Sequence, residues 1–397
     1  MFLENVGVCS SGSPTIVLGP KTYLNDQDTT RLCLCQAMLV LHDPDTLLHE
    51  TVELLGSRLI PALESPERLR SILQSLKDSS HVIQAVQAPS SVDTATKNAL
   101  TQIIVKTHSK DYTEHVRDVH HDWVAANLIE EHESVLAECF RLSTSAQPAP
   151  GPPKDLFARA GYYAFDMSSG IMHKTYSAVL ASAHLAYKAT LMILEDAPTN
   201  LSIFALSRPP GHHCDGQRAG GYCYVNNAAV AVSTYRAQHP QAKIGILDID
   251  FHHGNGTQEI FYSDSDVLYI SIHGEDEFPY YTGGAHEAGT GTGEGANVNL
   301  PLRTGSSLED YMEKLGIGLE RLARYKCEFL IVSLGFDTFH LDPLGSFRID
   351  TDDYAIIANT VRSVLRDMPA LILLEGGYVL EHLGANALSF LQGWEDA

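Results

Sequence analysis

The sequence predicts an α/β protein with a mainly parallel central sheet, and three observations support this. Beyond residue 174, apolar runs of strand length alternate with segments of helical length, as in parallel sheets covered by helices. Runs such as 244–249 are apolar except at Asp248, and near-continuous apolar runs are expected of strands that are buried on both faces. The 397 residues, of which 44% are hydrophobic, are ample for a large core.

The N-terminal part of the chain has few clear elements. Residues 1–35 lack periodicity, so we expect an irregular extension there, followed by one catalytic domain over 36–397. The apolar run 38–42 predicts the first strand. A helix is predicted from Ser65 and Pro66, because apolar residues then recur at helical spacing. These residues are Leu69, Ile72, Leu73 and Leu76.

The next segment gives weaker patterns. Ile103 to Val105 predict another short strand, and His108 and Tyr112 are expected at the polar start of a helix. Residues 143–154 are rich in Pro, Ser and Gly. They predict a long surface loop and not a domain boundary, because the residues with catalytic chemistry all lie beyond it.

Regular alternation of strands and helices begins near residue 174. Strands are predicted at 201–206, 244–249, 267–272, 328–334 and 370–374. Helices are predicted at 174–193, 225–237, 308–324, 353–366 and 384–392. Polar residues follow all five strands. Since ligands bind beyond the carboxyl ends of parallel strands, we expect one site at this edge of the sheet.

The end of the run at 244–249 predicts a metal site. Asp248, Asp250 and His252 alternate along the chain, so their side chains project to one face of a strand. Carboxylate and imidazole groups suit zinc, and Asp337, after a later strand, would be a third protein ligand beside Asp250 and His252. Three protein ligands leave an open position, as in catalytic zinc sites. The alternative is that these aspartates cap a turn or a helix.

Two other groups indicate proton transfer. His212 and His213 follow Pro-Pro-Gly, a rigid turn. One imidazole can take a proton from the attacking water while the other protonates the leaving group, and the sequence leaves open which does which. Tyr378 follows two glycines, and a phenol near a metal can stabilise a developing oxyanion. Two surface histidines and an aromatic ring that fills a turn are the alternatives.

The net charge and the cysteine content limit which partners and which cellular compartment we expect. A formal net charge of −22 disfavours direct binding of nucleic acid or an anionic membrane and is compatible with a cationic substrate. The 7 cysteines form no CxxC pair, so we expect reduced thiols. We expect no membrane span and recognise no signal or transit peptide. The cytoplasm is therefore predicted, with the nucleus as an alternative, and a homo-oligomer is compatible with the sequence.

Five motifs together resemble one enzyme family. RPPGHH, GGYCYVNNAA, DIDFHHGNGTQ, SLGFDTF and EGGY, in this order, resemble the zinc-dependent histone deacetylase superfamily, and most closely its acetylpolyamine amidohydrolase-like branch. The resemblance extends to 53–73, 161–163 and 273–283 and covers about 38–393. It implies an arginase/deacetylase-like three-layer fold, with a central, mainly parallel sheet of eight strands between helix layers.

The resemblance also implies roles for individual residues. The zinc ligands would be Asp250, His252 and Asp337. The catalytic residues would be His212 and His213, their respective partners Asp248 and Asn255, and Tyr378 as donor to the substrate carbonyl. A potassium ion beside the zinc would be held by the Asp248 carboxylate, the Ser271 hydroxyl and the backbone carbonyls of Asp250, His252 and Ile272. Tyr222 and Phe278 would be walls of the acyl channel, and the Gly221 carbonyl would accept the substrate N–H.

The chain departs from polyamine-cleaving relatives at the rim of this site. Where those enzymes have acidic residues in the loops flanking GYY, Phe157 and Ser168 are aligned here, although Asp155 and Asp166 are near. Leu344 follows Asp-Pro, as in many lysine deacetylases, where one polyamine-selective group has glutamate. The sequence therefore leaves the choice between acyl-lysine and acetylpolyamine substrates open.

We predict a zinc-dependent amide hydrolase that removes acetyl or related acyl groups from acyl-lysine, acetylated polyamines or other small amines. An arginase-type enzyme with two manganese ions would need a second carboxylate after Asp337, but Thr338 and Phe339 stand there. A catalytically weak protein that binds acylated ligands would be expected to lack His213 or Tyr378, and both are present. A mainly structural partner subunit is the third alternative.

Overall fold

The computed structural model describes residues 38–77, 79, 81–86, 92–141, 151–195 and 201–397. The extension predicted over 1–35 and residues 143–150 of the predicted surface loop lie outside the described residues. Residues 151–154, the rest of that loop, have no helix or strand.

Ten strands occur in the described part of the chain. They are β1 (Leu39–His42), β2 (Val52–Leu55), β3 (Arg58–Pro61), β4 (Val82–Ala85), β5 (Ser202–Ala205), β6 (Ile244–Asp248), β7 (Val267–Gly274), β8 (Asn297–Leu302), β9 (Phe329–Leu334) and β10 (Ala370–Leu374). Eight of them form one sheet in the order β4-β1-β5-β10-β9-β6-β7-β8, and each neighbouring pair is parallel. Strands β2 and β3 form a separate antiparallel hairpin.

Within the same described ranges, ten α-helices connect or cover these strands. They are α1 (Pro66–Lys77), α2 (Thr94–Thr107), α3 (Lys110–Ala125), α4 (Leu156–Tyr162), α5 (Thr175–Glu195), α6 (Asn227–Gln238), α7 (Asn255–Phe261), α8 (Leu308–Tyr325), α9 (Asp353–Val364) and α10 (Leu380–Glu395). The helix predicted from Ser65 and Pro66 is α1, and its residues Leu69, Ile72 and Leu76 are buried.

Successive residues of the strands face two apolar cores, one on each side of the sheet. On one side, Ile203 and Ile246 pack in a core with residues of α2, α3, α5 and α6. On the other side, Phe204 and Leu247 pack with residues of α1, α8, α9 and α10. The sheet therefore lies between two helix layers, which confirms the predicted three-layer α/β fold with eight parallel strands.

The strand predicted at Ile103 to Val105 is wrong, because these residues lie inside α2. The carboxylate of Asp93 caps this helix by accepting hydrogen bonds from the backbone N–H groups of Ala95 and Thr96. Leu100, Ile103 and Ile104 are buried at helical spacing. The β-branched run favours a strand locally, but the cap and the packing of one helix face outweigh that preference.

Two other elements near the site were not predicted. Strand β8 has buried asparagines at positions 297 and 299, which hide its apolar pattern. Their side-chain amides donate to Gln258 Oε1 at 2.9 and 2.8 Å. Helix α7 begins at Asn255, where the glycines indicated only a turn.

Helix α5 is, within the described ranges, the one helix that is long and apolar enough to cross a membrane by length and composition. In this structure 61% of its apolar window is buried. Its buried residues contribute to the core on one face of the sheet, as in many core helices.

Candidate active site

The polar residues predicted for the site all lie at one edge of the sheet. They follow or end β5, β10, β9, β6 and β7, which are consecutive neighbours in the strand order. Asp248, at the end of β6, is in register with Ser271 of β7 and with Ser333 of β9. The expected convergence of five strand ends on one region is therefore confirmed.

Asp250, His252 and Asp337 form a group that can hold a metal ion, with ligand atoms all within 4.8 Å of one another. His252 Nδ1 lies 2.9 Å from Asp337 Oδ2 and 3.3 Å from Asp250 Oδ1. Ligands about 2 Å from a tetrahedral zinc are roughly 3.3 Å apart, so these separations are close to what zinc requires. Two buried carboxylates and one imidazole are also the ligand chemistry of a catalytic zinc site. The residues present therefore fit zinc.

Backbone N–H groups hold both carboxylates in place. Asp250 Oδ2 accepts from the N–H of Gly376 at 2.7 Å, and Asp337 Oδ1 accepts from the N–H of Phe251 at 2.9 Å. A Cβ atom at Gly376 would stand 2.2 Å from Asp337 Oδ2, so only glycine allows this approach. Outer partners of this kind orient metal ligands.

The two consecutive histidines have different partners, and their pKa values are shifted in opposite directions. His212 Nδ1 lies 3.2 Å from Asp248 Oδ2, and His213 Nδ1 lies 2.8 Å from Asn255 Oδ1, which are the two pairings expected from the sequence. Burial by itself lowers the pKa of His212, but Asp250 and Asp248 outweigh it and raise that pKa to about 10. Burial and the nearby His212 hold the pKa of His213 well below its usual range. These surroundings favour the charged form of His212 and the neutral form of His213.

Tyr378 is held from two sides. Its backbone N–H donates to Asp342 Oδ2 at 2.7 Å, and Arg68 Nε donates to the carbonyl of the preceding Gly377 at 2.7 Å. Burial raises the pKa of Tyr378 well above its usual value, so the phenol stays protonated. Its hydroxyl makes no hydrogen bond to any residue that the structure describes, which leaves the proton available to a ligand.

Phe278 lines the approach to the histidines. Its ring centroid lies 4.9 Å from that of His213 and 5.9 Å from that of His252. Phe165, which the sequence did not single out, stacks on Phe278 with 6.1 Å between centroids. This pair of rings forms one apolar wall beside His213.

Tyr222, the other predicted wall, lies next to the tyrosine of the EGGY motif. Its ring centroid is 5.8 Å from that of Tyr378. Its hydroxyl donates to the two carboxylate oxygens of Glu53 at 3.0 and 2.9 Å. The hairpin strand β2, which carries Glu53, therefore anchors this ring.

The backbone turn at Gly221 and Tyr222 is left-handed at both residues, with φ angles of 54° and 64°. Asp166 Oδ2 accepts from the N–H of Gly221 at 2.8 Å and stabilises this turn. The carbonyl of Gly221, the predicted acceptor of the substrate N–H, accepts a weak hydrogen bond from Cys223 Sγ at 3.3 Å.

The predicted potassium residues are neighbours in the sheet but each has a protein partner. Asp248 Oδ2 accepts from the Tyr269 hydroxyl at 2.9 Å. Ser271 Oγ lies 2.8 Å from His273 Nδ1. The potassium site therefore stays a prediction.

The residues predicted for the rim of the site each contact neighbouring protein groups. Leu344 is half-buried, and its N–H donates to Asp342 Oδ1 at 3.0 Å, so Asp342 joins this loop to the Tyr378 turn. Phe157 packs on Trp123 with 4.8 Å between ring centroids. Asp155 caps α4 through the N–H of Ala158.

Ser168 also has a local partner, because its hydroxyl donates to Asp166 Oδ2 at 2.8 Å. The Ser168 hydroxyl and the Gly221 N–H therefore both donate to the Asp166 carboxylate. Of the two acids near the rim, Asp155 therefore caps a helix and Asp166 holds a backbone turn.

Sequence reasoning missed a buried charge cluster behind the site. Glu64 lies between Arg68 and Arg208, with nitrogen to oxygen distances of 2.8 Å to each, and all three side chains are fully buried. Arg208 also donates to the carbonyls of Thr46 and His49 at 2.6 Å. Arg68 lies on the apolar face of α1, and a charge on such a face is the one signal that could have found it.

Comparisons with known proteins place the chain in a family. It matches the model of the histone deacetylase domain over residues 62–394. Acetylpolyamine amidohydrolase 2 of Pseudomonas aeruginosa is 35% identical over 361 residues, which cover 90% of this chain and 99% of that protein. Acetylpolyamine amidohydrolase 1 of the same organism is 37% identical over 364 residues, which cover 91% and 99%.

The fold is also similar to that of a solved enzyme. The crystal structure of an acetylpolyamine aminohydrolase from Burkholderia pseudomallei has a TM-score of 0.78 and 32% sequence identity to this chain, covering 90% of it and 98% of the solved chain. The matches to the two Pseudomonas aeruginosa proteins span most of this chain and most of each relative. The chain therefore belongs to the histone deacetylase family of amide-hydrolysing enzymes.

Proposed function

We propose that this protein is a zinc-dependent deacetylase that hydrolyses the amide of an acetylated primary amine. One observation carries the proposal. The group of Asp250, His252 and Asp337, which can hold a metal ion, lies beside His213, whose ring centroid is 6.0 Å from that of His252. A metal site and a general base next to each other are what amide hydrolysis by water requires.

Asp250, His252 and Asp337 would hold the zinc, which when bound polarises the substrate carbonyl and lowers the pKa of the attacking water. His213 is the proposed general base, because its lowered pKa leaves the imidazole free to accept a proton. The proton then passes to the nitrogen of the leaving amine. Tyr378 donates its phenol proton in a hydrogen bond to the carbonyl oxygen as negative charge develops there.

The proposed substrate is an acetylated amine on a flexible aliphatic stem. The wall formed by Phe165 and Phe278 suits an apolar stem, and the Gly221 carbonyl is the proposed acceptor of the amide N–H. The net charge of −22 favours approach of a cationic substrate. Acetyl-lysine and acetylated polyamines both have this chemistry. A potassium ion at Asp248 and Ser271 is part of the same proposal.

Hydrolysis of a matched panel tests the proposal. Acetyl-lysine peptides, acetylated polyamines and longer acyl amides would be compared with and without a metal chelator. We expect release of acetate from at least one acetylated amine, and loss of that activity after chelation with recovery on addition of zinc. Tight binding without turnover would instead favour an acyl-ligand binding protein, and activity that chelation leaves unchanged would contradict the proposal.

A further inference from the structure

Glu375 joins the two backbone turns that carry His212 and Tyr378. It directly follows β10 and is fully buried. Its Oε2 atom accepts two backbone hydrogen bonds, from Gly211 at 2.8 Å and from His212 at 3.2 Å. Its Oε1 atom has no hydrogen-bond partner among the described residues. One carboxylate oxygen thus supports two successive amides of the histidine turn.

The sheet brings the two turns together. Strands β5 and β10 are parallel neighbours, with Ala205 in register with Leu373. The histidine turn follows β5, and the EGGY turn follows β10. Ser207 strengthens the same junction, because its hydroxyl donates to the Leu374 carbonyl at 2.9 Å.

The backbone N–H and the backbone carbonyl of Glu375 are both hydrogen-bonded. Its backbone N–H donates to the carbonyl of Leu334 in β9 at 2.8 Å. Its carbonyl accepts a hydrogen bond from the guanidinium of Arg68, which is fully buried. The Glu375 side chain therefore extends from a fixed backbone. The length of this side chain sets where the backbone N–H groups of Gly211 and His212 lie.

The position of the His212 backbone determines the position of its imidazole ring. The ring reaches Asp248 Oδ2 at 3.2 Å, and its centroid is 4.0 Å from that of His213. A shift of the turn would change both separations. Misplacement of a catalytic group by about 1 Å can lower turnover by about 10²-fold.

We propose that Glu375 is a positioning residue that sets the histidine turn through the two backbone hydrogen bonds that its Oε2 atom accepts. The effect on turnover rests on the proposed function, but the hydrogen bonds do not. A side chain of the same length with an acceptor oxygen can do this without a charge. A shorter carboxylate keeps the charge but does not reach the two amides.

Two variants separate these properties. Glu375→Gln keeps the length and the acceptor oxygen, whereas Glu375→Asp keeps the charge and shortens the side chain. We expect Glu375→Gln to retain kcat within about threefold, and Glu375→Asp to lose about 10²-fold in kcat with KM within about twofold. Glu381→Gln, at an exposed position in the first turn of α10, is the control for a loss of glutamate charge.

Hydrogen exchange of residues 208–214, measured by mass spectrometry, provides a readout that does not depend on activity. We expect faster exchange in Glu375→Asp than in the parent protein, and near-parent exchange in Glu375→Gln. If the parent protein hydrolyses none of the acetylated amines, the proposed function fails while this measurement still tests the positioning. Unchanged exchange in Glu375→Asp, or greater loss of kcat in Glu375→Gln than in Glu375→Asp, would overturn the inference.

Discussion

The guanidinium of Arg68 lies against the ring of Tyr378, with 5.0 Å between the guanidinium carbon and the ring centroid. The same group donates to the carbonyls of Gly377 and Glu375 and to the carboxylate of Glu64. Only the planar fork of arginine reaches three acceptors in this way. The turn that carries the proposed oxyanion donor is therefore held from the interior of the protein.

Arg68→Lys is expected to destabilise the protein, because the lysine keeps the charge but leaves buried carbonyls unpaired. Each lost acceptor contact costs about 1–3 kcal/mol. Urea unfolding measures the change in the free energy of unfolding. Arg70→Lys is the matched control, since Arg70 is on the same helix with a side chain that is 52% exposed. Equal losses in the two variants would show that the Arg68 contacts contribute little.

Tyr378→Phe should leave the zinc in place and lower kcat by about 10²–10³-fold, the usual scale for loss of one oxyanion donor. Steady-state kinetics and metal analysis of the same preparation measure both quantities. Tyr281→Phe is the control, because Tyr281 is 93% exposed. Turnover of Tyr378→Phe within about twofold of the parent protein would mean that the phenol does not contact the reacting carbonyl.

A strand or helix could be predicted where its burial shows as a pattern in its own sequence. Strands such as β6 are buried on both faces, so their near-continuous apolar runs identified them directly. Strand β8 carries buried asparagines whose side-chain N–H groups donate to Gln258, and α2 carries a β-branched run. The contacts of β8 with Gln258 are absent from its local sequence pattern, whereas in α2 the cap at Asp93 and the packing of one helix face outweigh the β-branched preference.

The same distinction applies to the site. Asp250 and His252 were predictable, because their spacing places both at one strand end. The supporting residues Arg68 and Glu375 were not predicted, since their roles depend on contacts between elements that are distant in the sequence. Arg68 and the carbonyl of Gly377 are 309 positions apart, and Glu375 and the N–H of Gly211 are 164 positions apart. Only the folded chain brings such pairs together.

Leu344→Glu is expected to shift preference toward acetylated polyamines relative to acetyl-lysine peptides. The reason is electrostatic, because a carboxylate at this half-buried rim position would attract the additional ammonium groups of a polyamine. The ratio of kcat/KM for the two substrates measures the preference. Leu341→Glu, on the same loop at a position that is 54% exposed, is the control. A parent protein that cleaves only polyamines, with no change in Leu344→Glu, would contradict this role of the rim.

The zinc content of the parent protein and of Asp337→Ala tests the central claim most directly. Asp337 is fully buried, and its Oδ2 atom faces His252 Nδ1, so its removal takes away one of three proposed ligands. Elemental analysis should find about one zinc per chain in the parent protein, and little zinc and no turnover in the variant. Full zinc occupancy in Asp337→Ala would contradict the assignment of the metal site.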